Sequence, residues 1–345
     1  MRWRTTPRPR GPPHPELGRS PMPSRTPNRR LPRLLGAAAL AASLVLTGCS
    51  AQKSVADPAA SGSASTPSTV VKTLYGDVTV PAHPKRVAAL DFPEATALAD
   101  LGIKPVAIGS YTPDLDYYTS FLKGVPIATD DSGVPIVEKV AAAKPDLIIL
   151  DSFTDQLAKN RPIYEKLSAI APTVVLKWTE AAGSWQEDAA GTARAVGKTA
   201  QLDKLKAQFE ARAASIKKKY ADVLATKTID LISGDESTWF LYGPTSSHGR
   251  VLAEAGARFG AAADQKDGFV QYSPERYDLL KDTGIVIVDA ATDAEAAKVT
   301  GSPVFGTISA ARDHDVFRTP YFFPSSYRIA NALLDDFANA LKNAQ

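Results

Sequence analysis

The segment QLDKLKAQFEARAASIKKKYADVLA (201–225) decides how the rest of the chain is read. It contains neither Gly nor Pro. Leu202, Leu205, Phe209, Ile216, Tyr220 and Val223 recur at helical spacing, with Lys and Arg on the other faces. The spacing predicts one helix over 201–225, about 37 Å long at about 1.5 Å per residue. Periodicity alone leaves open whether this helix packs on one body or links two.

The flanking sequence supplies two bodies. Upstream, short β-branched runs RVAAL (86–90), KPVAIG (104–109), DLIIL (146–150) and TVVLK (173–177) alternate with helical stretches such as EATALADLG (94–102) and PIYEKLSAIA (162–171). They are preceded by KTLYGDVTVP (72–81), a hairpin pattern around Gly76-Asp77. Downstream the same grammar returns in TIDLISG (228–234), GRVLAEAGA (249–257), GIVIVDA (284–290) and HDVFRTP (314–320). Alternating βα units predict parallel, doubly wound sheets. The expected architecture is α/β: one lobe over 72–200, the long helix over 201–225, and a second lobe over 226–345.

The N-terminal end has a different composition. Arg25, Arg29, Arg30 and Arg33 precede LLGAAALAASLVLTG (34–48), and the sole cysteine, Cys49, follows directly. A basic region, a short apolar run and small residues at its end make residues 1–48 a signal peptide, with Met22 as an alternative start. The apolar run is too short to span a hydrocarbon core of about 30 Å as a permanent helix. A lone cysteine outside any Cys/His grouping is a poor disulfide or metal candidate. Leu46-Thr47-Gly48-Cys49 resembles the lipobox of bacterial lipoproteins, which implies a lipidated Cys49 as mature N-terminus. SAQKSVADPAASGSASTPST (50–69) is small and polar and reads as a flexible tether within 49–71. The protein is therefore expected on the extracytoplasmic face of the cell membrane, held by its lipid alone.

Removing the leader inverts the charge. Residues 1–48 hold nine arginines and one acid, leaving 31 basic residues (40 − 9) against 36 acidic (37 − 1), a net charge of about −5. Nucleic-acid binding thereby loses its electrostatic basis. The mature chain has no methionine and only His83, His248 and His314, too few and too scattered for a protein-built zinc or manganese site. No cofactor and no resident metal are expected.

Two segments repeat across the lobes. VPIVEKVAAAKPDLIIL (134–150) puts Glu138 near the start of a short helix leading into a strand, and SPERYDLLKDTGIVIVD (273–289) does the same with Glu275. An acid in a first helical turn suits the helix dipole, and Ser273-Pro274 is a helix-start signature.

At this point the chain resembles the class III, helical-backbone substrate-binding proteins of bacterial ABC importers, which carry ferric siderophores, haem or cobalamin. The residues responsible are PAHPKRVAALDFPEATALADLGIKPVAIG (81–109), VEKVAAAKPDLIIL (137–150), YEKLSAIAPTVVL (164–176), the helix 201–225, and SPERYDLL with IVIVD. The resemblance implies a monomer of two Rossmann-like lobes joined by one long rigid helix, with ligand held in the cleft between them and no enzymatic activity. It also implies that Glu138 and Glu275 dock into arginine pockets of the two permease subunits.

Ligands in such folds sit at strand ends. Tyr111 follows KPVAIG, Trp178 follows TVVLK, Trp239 and Tyr242 follow TIDLISG, Arg250 closes TSSHGR (245–250), and Tyr327 with Arg328 follows VFRTP. These seven are the candidate ligand-binding residues. Aromatic faces with an occasional Arg suit a bulky, partly apolar metal chelate. Ferric siderophore is favoured, because the chelator keeps the iron wrapped and the protein supplies no direct ligand. Haem through Tyr111 or His248, and cobalamin, are the alternatives within the class. An exported hydrolase using Ser246, Ser247 and His248 is the alternative from another class, but there is no GxSxG elbow and adjacent residues on one loop do not make a triad.

Overall fold

The computed structural model describes residues 67–179, 184–321 and 323–344. The leader 1–48, Cys49 and most of the tether lie outside the described residues.

The N-terminal lobe contains the hairpin β1 (Ser68–Thr73) and β2 (Gly76–Pro81), so a strand occupies the end of the segment expected to be tether. A four-stranded sheet follows: β3 (Val87–Ala89), β4 (Ala107–Ile108), β5 (Leu147–Ser152) and β6 (Thr173–Lys177), all parallel in the order β4-β3-β5-β6. Its helices are α1 (Phe92–Asp100), α2 (Asp116–Phe121), α3 (Val137–Ala142), α4 (Leu157–Ser168) and α5 (Trp185–Ala195). α1 starts where Asp91 caps it, its carboxylate accepting from the Phe92 N–H, with Pro93 in the first turn.

The connector is not one uninterrupted helix. α6 (Thr199–Lys219) has 21 residues, Tyr220 leaves helical geometry at φ −112° and ψ 28°, and α7 (Ala221–Thr226) resumes. At about 1.5 Å per residue α6 is about 32 Å long. It does link the two lobes: Phe209 on α6 meets Trp185 of α5 edge-on with ring centroids 5.9 Å apart, and Tyr327 of the second lobe at 5.8 Å. Trp185 and Tyr327 also meet directly, at 5.0 Å.

The C-terminal lobe contains β7 (Ile229–Gly234), β8 (Trp239–Tyr242), α8 (Ser247–Glu254), β9 (Phe269–Tyr272), β10 (Ile285–Asp289), α9 (Asp293–Thr300), α10 (Ser309–Arg312), β11 (Val316–Thr319) and α11 (Tyr327–Asn343). The strand order is β11-β10-β7-β8-β9. β7, β10 and β11 are mutually parallel, whereas β8 and β9 run antiparallel to their neighbours. The sheet is thus mixed where a second fully parallel one was expected. The cause is a tight turn after Gly234: the Asp235 carboxylate accepts from the N–H groups of Ser237 and Thr238 and from the Ser237 hydroxyl, sending the chain straight back.

Strand alternation divides the core into layers. Val87, Ala89, Leu147 and Ile149 of the first sheet, and Ile229, Leu231, Ile285 and Ile287 of the second, face one apolar cluster that continues through α1, α5, α6, α8 and α11. The opposite faces pack separately, around Ala88 and Ile148 in one lobe and Val286 and Val288 in the other. The lobes are therefore joined by shared core as well as by chain. Among the described residues no helix is long and apolar enough to cross a membrane.

Candidate functional site

Residues leaving the carboxyl ends of the first sheet stand in strand order. After β4 comes Tyr111, after β3 Phe92, after β5 Phe153, and after β6 Trp178. Three strand spacings of about 4.8 Å spread this row over about 14 Å. Trp178 meets Phe92 edge-on at 5.5 Å and Phe153 at 6.4 Å. Phe153 is 36% exposed, a large apolar ring left at the surface, and the other three are half-buried. Tyr111 is oriented by its hydroxyl, which donates to the Asp131 carbonyl at 2.8 Å.

Beside the end of this row, a hollow of about 350 Å³ opens between the lobes. Thr179, Ser184 and Glu187 line it from the first lobe, and Thr245, Arg250, Lys266, Asp267 and Gly268 from the second. Its second wall comes from the end of β8 and the start of β9, that is, from the antiparallel excursion and not from the carboxyl ends of β7 and β10. Arg250 projects from the first turns of α8, its Nε donating to the Thr245 carbonyl at 3.3 Å. α8 can start so close to the β8 end because Gly249 has no side chain: a Cβ there would lie 2.0 Å from the Gly243 carbonyl oxygen. The hollow thus holds a cationic pair, Arg250 and Lys266, with Asp267 beside them, across from Thr179, Ser184 and Glu187, and the aromatic row ends next to it at Trp178.

Of the seven candidate ligand residues, Arg250 lines the hollow, while Tyr111 and Trp178 stand in the row at the strand ends, Trp178 next to the lining residue Thr179. The other four are placed elsewhere. Trp239 is fully buried on β8, its Nε1–H donating to the Ser273 carbonyl at 2.8 Å and its ring stacked on Tyr277 at 4.8 Å. It is a core residue because the turn at 235–238 makes it the first residue of a strand. Tyr242, 4% exposed, shares a hydrogen bond with the Ser233 hydroxyl at 3.0 Å, and burial pushes its phenol well above the ordinary range. Tyr327 is buried in the aromatic contact with Trp185 and Phe209.

Arg328 clamps the lobes together. Its Nε donates to Asp100 Oδ1 at 3.3 Å, its backbone N–H to Asp100 Oδ2 at 2.9 Å, and its guanidinium lies 3.7 Å from the centre of the Tyr117 ring. Asp100 ends α1, whereas the aromatic row stands at the start of α1, so the arginine is a helix length away from it. Tyr118 completes the joint, donating to Asp100 at 3.0 Å and bonding the Ser326 hydroxyl at 2.7 Å.

Phe92 and Phe153 in the row and Lys266 in the hollow are the candidates that sequence reading did not single out. The first two follow strands directly, in LDFPEA and ILDSF, a position that singled out Tyr111 and Trp178 and applied equally to them.

Two of the alternatives, haem through His248 and a hydrolase at Ser246, meet geometric obstacles. His248 is buried, its Nε2 accepts the Phe323 N–H at 3.1 Å, and burial holds its imidazole down to about 3, so it is closed to a haem iron. The Ser246 hydroxyl caps α8, accepting from the Gly249 N–H at 3.0 Å and donating to the Gly243 carbonyl at 2.8 Å. A hydroxyl committed to a helix cap is no nucleophile. Among the described residues no three potential metal ligands converge on one point.

Glu138 and Glu275 are both exposed. Glu138 lies in the first turn of α3, and Glu275 in that of a short 3₁₀ helix, Pro274–Leu280, where the Ser273 hydroxyl and its own backbone N–H hold the carboxylate below its usual range. α3 leads into β5 and the 3₁₀ helix into β10, both interior strands.

Comparison with known proteins agrees with this architecture. The family model described as periplasmic binding protein matches residues 87–321. The probable siderophore-binding lipoprotein YfiY of Bacillus subtilis (strain 168) is 29% identical over 317 residues, covering 86% of this chain and 94% of that protein. The siderophore periplasmic binding protein from the fuscachelin gene cluster of Thermobifida fusca superposes with a TM-score of 0.69 at 24% identity, over 76% of this chain and 98% of that one. Staphylococcus aureus SirA, solved in complex with staphyloferrin B, gives 0.65 at 22% identity, over 79% and 98%.

Proposed function

The chain belongs to the periplasmic binding protein family, and from that premise we propose that it captures a ferric siderophore outside the cytoplasm and delivers it to the permease of an ABC importer. The observation that carries this reading is a cationic pair, Arg250 and Lys266, in a hollow that opens beside the end of an aromatic row. An iron chelate offers the complement: apolar or aromatic faces for the rings, and carboxylate, catecholate or hydroxamate oxygens for the cations. The relatives support the same ligand class, since YfiY is named as a probable siderophore-binding lipoprotein and SirA was solved with staphyloferrin B. The iron keeps its chelator shell, so no protein ligand to the metal is required.

Delivery is assigned to Glu138 and Glu275, one exposed carboxylate on each lobe, meeting arginines on the permease. Attachment is assigned to Cys49, which carries the lipid and holds the protein, as a monomer, on the extracytoplasmic face of the membrane. Cys49→Ser protein should leave the membrane fraction, and its retention there after a high-salt wash contradicts the anchor.

The ligand reading is tested by tryptophan fluorescence with a panel of ferric siderophores, haem and cobalamin. Saturable quenching by a ferric siderophore at submicromolar concentration is expected, with Trp178 at the site as reporter. Quenching by haem or cobalamin alone moves the protein to another ligand of the class.

A further inference from the structure

Beneath the aromatic row lies a set of carboxylates that ligand capture leaves unexplained. Asp91 caps α1, Glu94 stands in the first turn of that helix, Asp151 is the penultimate residue of β5, and Asp188 lies on α5, which packs along α1. Glu94 is fully buried and neither of its carboxyl oxygens has a hydrogen-bond partner on another described residue; the buried Oδ2 of half-buried Asp151 likewise has none. Asp188, 3% exposed, accepts from the Ser184 hydroxyl at 3.2 Å.

The charges acting on these four are all acidic: one another and Glu187. Basic groups on the surrounding elements are engaged or turned away. Arg328 is held by Asp100 at the far end of α1, Lys177 and Arg194 are exposed, and Arg250 and Lys266 stand across the hollow. Buried like charges without a counterion cannot all be ionised. Burial and mutual repulsion push Glu94 and Asp151 well above the carboxylate range, burial raises Asp188 to about 7, and burial raises Asp91 to about 6.

One member reaches the site directly. The Ser184 hydroxyl lines the hollow, donates to ionised Asp188, and accepts from the Thr179 hydroxyl at 3.0 Å. Once Asp188 carries a proton, that proton is donated to Ser184, and the serine's own hydrogen turns to the Lys177 carbonyl, 3.3 Å away. Protonation also removes negative charge from beneath the wall against which an anionic ligand would sit.

We propose that Asp91, Glu94, Asp151 and Asp188 form a shared proton store under the first wall of the cleft, whose charge sets how tightly the cleft holds an anionic iron chelate. Binding then takes up protons, and affinity falls as the medium becomes alkaline. The proposal rests on the chelate reading above. The store is also visible without ligand. Carboxyls whose folded pKa is raised bind more protons in the folded than in the unfolded state, so stability is greatest in mild acid and declines as the pH rises from about 4 toward 7.

The test has two arms on the mature chain, wild type against Glu94→Gln and Asp188→Asn. In thermal melts of the ligand-free protein between pH 5 and pH 8, the wild type is expected to lose melting temperature with rising pH, and each variant to show a shallower slope. A variant as pH-dependent as the wild type, or a wild type most stable at pH 8, overturns the store. In the second arm the dissociation constants of anionic ferric staphyloferrin B and uncharged ferrichrome are measured from pH 6 to pH 8. The staphyloferrin B complex should weaken by up to about tenfold per pH unit, the limit for one linked proton, with ferrichrome nearly flat. Binding with no slope, or equal slopes for the two chelates, overturns the linkage alone; binding of neither sinks the chelate reading and the linkage together, while the melts still report on the store.

Discussion

The two lobes are built on the same alternation and present opposite chemistry to the cleft. The first is a purely parallel sheet whose strand ends carry Tyr111, Phe92, Phe153 and Trp178 over buried carboxylates. The second inserts an antiparallel excursion, β8–β9, and its loops carry Arg250 and Lys266. The repeat builds the scaffold, and the departures from the repeat build the site. The aromatic row belongs to one lobe and the cationic pair to the other, and the proposed capture of a chelate needs both.

The largest expected effect tests what the lobes share. If Glu138 and Glu275 each meet an arginine in the permease, deleting one carboxylate leaves an unpaired buried cation and costs about 2–5 kcal/mol of docking. Glu138→Ala with Glu275→Ala should abolish siderophore-dependent growth and stimulation of transporter ATPase, while ligand affinity in solution and thermal stability stay at wild-type values. Normal uptake by the double variant would make both acids helix-dipole partners and remove the functional symmetry between the lobes.

Next in size is the joint between them. Phe209 is 1% exposed between Trp185 of one lobe and Tyr327 of the other. Phe209→Ala should lower unfolding stability by about 3–5 kcal/mol in denaturant titration, the usual cost of emptying a buried aromatic site. A loss below about 1 kcal/mol would mean that the lobes hold together without this contact.

Arg328→Ala sharpens the same point on a smaller scale. Half of the arginine side chain is in solvent, so its pair with Asp100 is expected to contribute only about 1 kcal/mol to stability. Because the clamp stands a helix length from the aromatic row, the affinity for a ferric chelate should not change. A tenfold weaker complex with unchanged stability would return Arg328 to the ligand.

The scaffold was legible because its signals are local. Apolar runs, helix starts such as Ser273-Pro274 and the helical periodicity of 201–219 all act within a few residues of themselves, whereas the break at Tyr220 left no mark in the pattern. The site was legible only in part. Arg250 in the hollow, and Tyr111 and Trp178 in the aromatic row, stand at the element ends that singled them out as candidates. Trp239 and Tyr242 are placed elsewhere, because the turn in GDEST (234–238) is built by the Asp235 carboxylate and turns an expected loop into a strand. Tyr327 and Arg328 were drawn away from the cleft by partners that lie far off in sequence: Phe209 and Trp185 for one, and Asp100, 228 residues distant, for the other. Sequence spacing carries no signal for pairings of that range.

The central claim is that the cationic wall of the second lobe holds the ligand against the aromatic wall of the first. Its most direct test is calorimetric titration of the tightest-binding ferric siderophore into wild-type protein and into Arg250→Ala combined with Lys266→Ala. Each hydrogen bond from a charged group should be worth about 1.5–3 kcal/mol, so the account predicts a dissociation constant weakened by at least tenfold with an unchanged melting temperature. An unchanged dissociation constant would contradict it and place the ligand away from this hollow.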